Sequence, residues 1–300
     1  MRIAVVTTSY PAYDGDPSGH FVEAETFDLT KAGHVVTVMC PSHGGAFGWP
    51  GAASRLREKP TRALEAAAWV AKTKARLVRE HYDRVIAHWC VPSAWPIGIE
   101  LGSRRASAEL EVVSHGGDVR LLSRMPASLR RRIVTSVVSR AMRWRFVSDA
   151  LLETLCSALD GAAEKSLRAI ASVAPSPFDM IDVRDEVEEK RRSLGDRRLY
   201  VCAGRLVASK RVDKVIDYVA SRDDADPVLV VLGDGPERSH LEHLAYRWRL
   251  DARFLGKTPR RETLSWIGAA HEVVHASLAE GLSTVVREAE SLGVPVTLLP

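Results

Sequence analysis

The chain has 300 residues, 46% hydrophobic and 27% charged, an ordinary globular composition with enough apolar side chains for two cores. No apolar run reaches the roughly 18 residues that a spanning helix needs. The net charge of +4 is modest, but residues 1–174 hold 23 basic against 17 acidic groups, net +6, and the remainder 19 against 21, net −2.

The first residues, Met1-Arg2-Ile3-Ala4-Val5-Val6, read as a buried strand with no basic region and cleavage site around them, so no signal peptide and a cytoplasmic location are expected. Further strands are predicted near Val35–Met39, Arg84–Ala87, Leu110–Ser114, Arg145–Ser148 and Ala169–Ala174, with helices between them. After two prolines at Pro175 and Pro177 and a charged stretch, the alternation resumes. Strands are predicted near Leu199–Ala203, Val228–Leu232, Ala252–Leu255, Glu272–His275 and Val294–Leu298, and helices start near Ser209, Pro236, Arg260 and Ser283. The pattern predicts an α/β fold with two Rossmann-like parallel sheets, in domains 1–174 and 175–300. Ligands of such sheets bind at the carboxyl ends of the strands. Cys40, Cys90, Cys156 and Cys202 show no CxxC pairing, which argues against a zinc site and for reduced thiols.

Several strand ends carry chemistry. The loop from Tyr10 to Phe21 holds Gly15 and Gly19, and glycine lets backbone approach a phosphate closely; Gly19, at the helix start, is the better candidate. His88-Trp89 ends one strand and is a candidate for the acceptor side. Ser114-His115-Gly116-Gly117-Asp118 ends the next, where His115 can donate a hydrogen bond to charge developing at a reacting centre; a structural hydrogen-bonding role is the alternative. From Val119 to Phe146 there are eight arginines and no acid, read as a basic amphipathic helix suited either to an anionic membrane face or to plain solvation. Asp14-Gly15-Asp16 and Asp224-Ala225-Asp226 have the spacing of a metal motif but read as turn aspartates.

In the second half, Arg205 and Lys210 flank a strand-to-helix turn and are placed to clamp one pyrophosphate. Gly233-Asp234-Gly235-Pro236 is a glycine turn with Pro opening a helix. In Ala276 to Ala289 a strand leads through Glu280 and Gly281 into a helix near Ser283. Glu280 and Glu288, eight apart, can accept hydrogen bonds from several sugar hydroxyls.

Glu280-Gly281 with Glu288-Ala289 and Leu292-Gly293-Val294-Pro295-Val296 resembles the E-x7-E motif of the retaining family 4 glycosyltransferases of the GT-B fold. Gly204-Arg205-Leu206 followed by Lys210 and Asp213 is similar to that family's G-R-L-x-x-x-K-G-x-D element, with Arg211 in place of the usual Gly. The resemblance implies two Rossmann-like domains facing across a cleft. It implies transfer of a sugar from a UDP- or GDP-sugar to a hydroxyl acceptor, with retention, in glycan, glycolipid or natural-product glycosylation. His115, Arg205, Lys210 and Glu280 would be catalytic. Gly19, Gly204, Gly233, Gly235, Phe254, Leu255, Gly281, Leu282, Ser283 and Glu288 would bind the donor. Neither a metal nor a separate cofactor is implied, no nucleic-acid partner is expected, and the 119–146 segment is the candidate for peripheral contact with an anionic membrane at the inner face.

Relatives usually continue beyond a segment like Gly293 to Thr297 into further helices, so a shortened second domain is expected. The alternative function is therefore a nucleotide-sugar-binding protein with little or no turnover. A Rossmann oxidoreductase would need G-x-G-x-x-G after the first strand, and none stands there.

Overall fold

The computed structural model describes residues 1–16, 18–47, 52–99, 108–178, 180–224, 226–277 and 283–300. The chain packs as two compact units, Met1–Ala12 with Ser18–Phe178, and Tyr13–Pro17 with Asp179–Pro300. The division falls after Phe178 rather than after Ala174, and the excursion Tyr13–Pro17 joins the second unit, where Gly15 O accepts from Arg260 N at 3.0 Å.

The first unit holds a six-stranded sheet of β1 (Arg2–Val6), β2 (Val35–Met39), β3 (Arg84–His88), β4 (Glu109–Ser114), β5 (Ala141–Phe146) and β6 (Ala171–Val173), in the order β2-β1-β3-β4-β5-β6. Its strands pair in parallel. Ile3, Ala4, Val5 and Val6 are all buried, as a parallel strand covered on both faces requires. Alternation sorts the two faces. Ile3, Val5, Ile86 and Val113 pack with Val22 of α1 (His20–Lys31), while Ala4, Val6, Val85, Ala87, Val112, Trp144 and Phe146 face the opposite core. That second core is closed by α3 (Arg62–Arg79), α4 (Gly117–Arg124), α5 (Ala127–Val138), α6 (Asp149–Cys156) and α7 (Gly161–Ile170), with α2 (Ala52–Glu58) lying before α3.

Two expectations change here. The strand predicted at Arg145–Ser148 begins at Ala141, because Trp144 and Phe146 supply its buried face while arginines alternate with them. The continuous basic helix expected over 119–146 is instead α4, α5 and β5, interrupted at Pro126, whose fixed φ suits a helix start. Arg131 and Arg132 of α5 are exposed, but Arg145 of β5 is internal and bonds to Glu25. Among the described residues no helix is long and apolar enough to cross a membrane.

The second unit holds β7 (Leu199–Ala203), β8 (Val228–Leu232), β9 (Asp251–Gly256), β10 (Glu272–His275) and β11 (Val296–Leu298), in the order β11-β10-β7-β8-β9. These strands also pair in parallel. β7 and β8 are buried at every residue, and α8 (Arg184–Leu194), α9 (Val212–Ala220), α10 (Arg238–Arg247), α11 (Arg260–Ala269) and α12 (Thr284–Ser291) complete the unit. The charged stretch after the prolines is α8. Asp185 and Glu186 in its first turn and Arg191 and Arg192 in its last complement the helix dipole, which is how so polar a segment stays helical. The four cysteines are free thiols.

Candidate active site

Among the described residues, Gly204, Arg205, Lys210, Gly233 and Gly235 gather at the carboxyl edge of the second unit's sheet. β7 ends at Ala203 and the chain turns through Gly204 and Arg205 into a single 3-10 turn, Ala208–Lys210, before α9. Next to it, β8 ends at Leu232 and turns through Gly233, Asp234 and Gly235. The two corners are tied backbone to backbone. Gly204 N donates to Leu232 O at 2.8 Å, Leu206 N to Asp234 O at 3.0 Å, and Glu237 N to Leu206 O at 3.1 Å, while Gly233 N donates to Gly256 O at 2.7 Å. A Cβ on Gly233 would stand 1.9 Å from Gly204 O, and one on Gly235 would stand 2.1 Å from Leu206 O, so only glycine fits at either position.

Lys210 runs along this corner, with its Cε 3.8 Å from where a Cβ of Gly204 would be. Burial, and next the Lys210 ammonium, hold His275 at the end of β10 down to about 4. Burial pushes the Cys202 thiol of β7 up to about 12, with Lys210 opposing. The end of the Lys210 side chain thus lies over Gly204, just beyond the carboxyl end of β7. Arg205 is exposed on the same corner. Arg211, standing where the resemblance has glycine, adopts φ 50 and ψ 43. The turn keeps the left-handed conformation that a glycine takes without strain, now with an arginine in it.

Phe254 and Leu255 flank a bulge at the end of β9, where Val231 pairs with Phe254 but Leu232 with Gly256. Phe254 packs partly buried against the core, and its carbonyl already accepts from Arg238 Nη2 at 2.9 Å, while Leu255 is exposed. Ser283 is the N-cap of α12, extended in backbone and making no side-chain cap bond. Glu288 is buried, and Arg260 Nη1 donates to its Oε1 at 2.5 Å. Burial raises the Glu288 carboxyl above its ordinary range, and Arg260 works against that shift. Sequence reasoning missed Arg260, since a cation in a first helical turn after Pro259 reads like any solvated arginine. Glu280, Gly281 and Leu282 lie outside the described residues.

Asp16 N closes a turn on Tyr13 O at 3.1 Å, Asp224 accepts from the Tyr200 hydroxyl, and Asp226 pairs with Arg197 at 2.7 Å.

In the first unit, Gly19 precedes α1 with φ 73, and a Cβ there would stand 2.5 Å from Ser9 O. His115 follows β4 at the carboxyl edge. It is half-buried, with Phe21 and Trp89 rings at centroid distances of 4.7 and 4.8 Å. Its Nε2 lies 2.9 Å from His88 Nδ1, and its Nδ1 lies 3.5 Å from Ser176 Oγ. Burial, with Arg145 adding to it, holds His115 down to about 3, so it is a neutral imidazole near neutral pH. The turn that carries it is fixed by Asp118, whose buried carboxylate accepts from Cys90 N at 2.8 Å, Ser114 Oγ at 2.7 Å and Gly116 N at 3.2 Å. His88, read as an acceptor-side candidate, is instead fully buried beneath His115.

Residues 183–298 match the family described as glycosyl transferases group 1. A GDP-mannose-dependent α-(1-6)-phosphatidylinositol monomannoside mannosyltransferase of Mycolicibacterium smegmatis is 30% identical, over 97% of this chain and 78% of that protein. The chain belongs to the group 1 glycosyltransferase family. A teichuronic acid biosynthesis glycosyltransferase of Bacillus subtilis is 26% identical to this transferase, over 99% of it and 80% of that protein. Among solved structures, Anabaena Alr3699/HepE in complex with UDP-glucose superimposes with a TM-score of 0.68 at 20% identity, covering 99% of the transferase and 80% of that chain. Sucrose-phosphate synthase from Thermosynechococcus elongatus gives 0.69 at 17%, with the same coverage. The fold of the transferase is thus GT-B.

Proposed function

We propose that the protein transfers a sugar from a nucleotide diphosphate sugar to a hydroxyl acceptor in glycan or glycolipid synthesis, with retention of the anomeric configuration. The observation that carries this reading is the paired corner in the second unit: Lys210 and Arg205 stand on a turn locked to the neighbouring turn by backbone hydrogen bonds, over the carboxyl edge of the sheet. Such a corner is rigid before the donor arrives, so cationic donors there need little reorganisation as charge builds on the departing diphosphate. The anomeric carbon–diphosphate bond breaks, a bond to the acceptor oxygen forms on the same face, and the acceptor proton passes to the departing diphosphate. Glu288, kept beside Arg260, accepts from ribose hydroxyls, and Glu280 meets the transferred sugar. His115 donates to that sugar as a neutral imidazole. No metal enters this scheme.

UDP- and GDP-sugars both suit the diphosphate corner. The mycobacterial relative is named as GDP-mannose-dependent, which makes GDP-mannose the first donor to test. The test is a thermal-shift panel of UDP, GDP, ADP and their sugars, followed by an assay of nucleotide release with and without a hydroxyl acceptor. Stabilisation by one nucleotide family together with acceptor-dependent release supports transfer. Stabilisation without release supports a binding protein, and no shift with any nucleotide refutes the proposal.

A further inference from the structure

Behind His115 stands a chain of polar groups with no evident role in packing. His88 is fully buried, and its Nδ1 meets His115 Nε2 at 2.9 Å, the two rings lying within 13° of parallel with centroids 5.2 Å apart. Its other nitrogen, Nε2, is buried without a hydrogen-bond partner, and so is Oε2 of Glu25 on α1; these two atoms face each other at 3.9 Å. Burying two such atoms unsatisfied is costly, and each is the complement the other lacks. His88, Val113 and Arg145 lie in one row across β3, β4 and β5, beneath the helix that carries Glu25.

We propose that Glu25 and His88 are positioning residues that dictate which ring nitrogen of His115 carries its proton. A neutral imidazole donates from one nitrogen and accepts at the other, so neighbouring rings in a chain constrain each other. With Glu25 ionised, His88 carries its proton on Nε2, facing the carboxylate. His88 Nδ1 then accepts, His115 Nε2 must donate, and His115 Nδ1 is an acceptor toward the Ser176 hydroxyl. With Glu25 protonated, every bond reverses, and His115 presents Nδ1–H. One proton at Glu25 thus inverts the donor and acceptor ends of a histidine beyond its direct reach. A small rotation of the Glu25 carboxylate closes the facing contact into the hydrogen bond that begins the chain.

The groups around Glu25 keep it available for this. Arg145 of β5 bonds it and also approaches Glu111 of β4 at 3.3 Å; Arg84 of β3 approaches Glu111 at 3.9 Å and Glu109 at 3.4 Å; Asp28 lies on its own helix. Burial raises the Glu25 carboxyl above its ordinary range, with Arg145 opposing and Glu111 adding to the rise. His88 is held well below its ordinary value by burial, then by His115 and Arg145, so neither ring becomes a competing cation.

The effect on transfer rests on the reading that His115 donates to the transferred sugar; the tautomer itself does not. The experiment is long-range proton–nitrogen NMR on the whole protein labelled with 15N-histidine, titrated from about pH 8 to about pH 5, with signals assigned through His88→Asn and His115→Asn. Both rings are expected to stay neutral, with His115 protonated on Nε2 while Glu25 is ionised and on Nδ1 once Glu25 is protonated. Glu25→Gln should remove that pH response; since Nε2 faces His88 and only Nδ1–H can donate to a sugar, the roughly tenfold loss of kcat that the wild type should show when Glu25 is ionised should be absent in the variant, with donor KM little changed. A His115 tautomer that ignores both pH and the Glu25 substitution overturns the proposal, as does either ring becoming imidazolium over this range. The wild-type titration decides even if the variant does not fold. A tautomer that inverts while kcat does not respond upholds the proposal and refutes the donor role of His115.

Discussion

The backbone of Gly233 crosses that of Gly204 so closely that a methyl group on Gly233 would stand 1.9 Å from the Gly204 carbonyl oxygen. The obstacle is main chain held by ladder hydrogen bonds, so it cannot swing aside as a side chain would, and Gly233 has φ 129 besides. Gly233→Ala should cost about 3 kcal/mol or more. Gly293→Ala, with φ 70 but open space around the added methyl, should cost only about 1 kcal/mol. Urea unfolding of the two variants checks the contrast; equal midpoints would mean that the crossing carries no load.

Lys210→Ala should abolish nucleotide-induced thermal stabilisation and lower kcat/KM by about 10²–10³-fold, the range seen when a preorganised donor to developing charge is lost. Isothermal titration with GDP and UDP, alongside initial rates, checks both parts.

Arg260→Met should destabilise the second unit by about 3 kcal/mol, since it removes the ion pair that Arg260 makes with the buried Glu288 carboxylate. The double variant Arg260→Met with Glu288→Leu should recover much of that loss while remaining unable to bind donor. Thermal unfolding of both proteins tests the order of stabilities.

Acid should weaken the fold partly through His275, held at about 4 against an ordinary 6.5. Between those values the unfolded chain binds the proton and the folded chain does not, so this contribution is complete above about pH 6.5 and is lost as the pH falls toward 4. Its full size is at most about 3 kcal/mol. Glu25 and Glu288, both raised, act with the opposite sign in the window just above 4.5, so the difference between proteins is the clean measurement. His275→Asn should shed this share of the pH dependence, read as a shallower fall of unfolding free energy between about pH 6.5 and 4.

Arg211→Gly should be tolerated, changing stability by no more than about 1 kcal/mol. Relief of the left-handed backbone is offset by the greater freedom of glycine in the unfolded chain and by loss of the exposed bond from Arg211 to Pro300 O at 2.6 Å. A large loss in chemical denaturation would show that the arginine side chain, not the turn, holds this corner.

Periodicity alone located β2, β7, β8 and β10 at their observed limits and placed Arg205, Lys210, Gly233 and Gly235 at strand-to-helix corners, because local hydrophobic pattern and turn chemistry are written residue by residue. It could not phase β5, where arginines and apolar residues alternate and the internal Arg145 looks like its solvated neighbours on α5. Nor does spacing say which charges share a buried space. Glu25 meets His88 and Arg145 only because parallel strands far apart in sequence lie side by side with α1 laid across them, and Arg260 meets Glu288 only because α11 packs against α12. Burial then turns those ordinary surface residue types into ion pairs and hydrogen-bond chains, through the desolvation cost of leaving any of them alone.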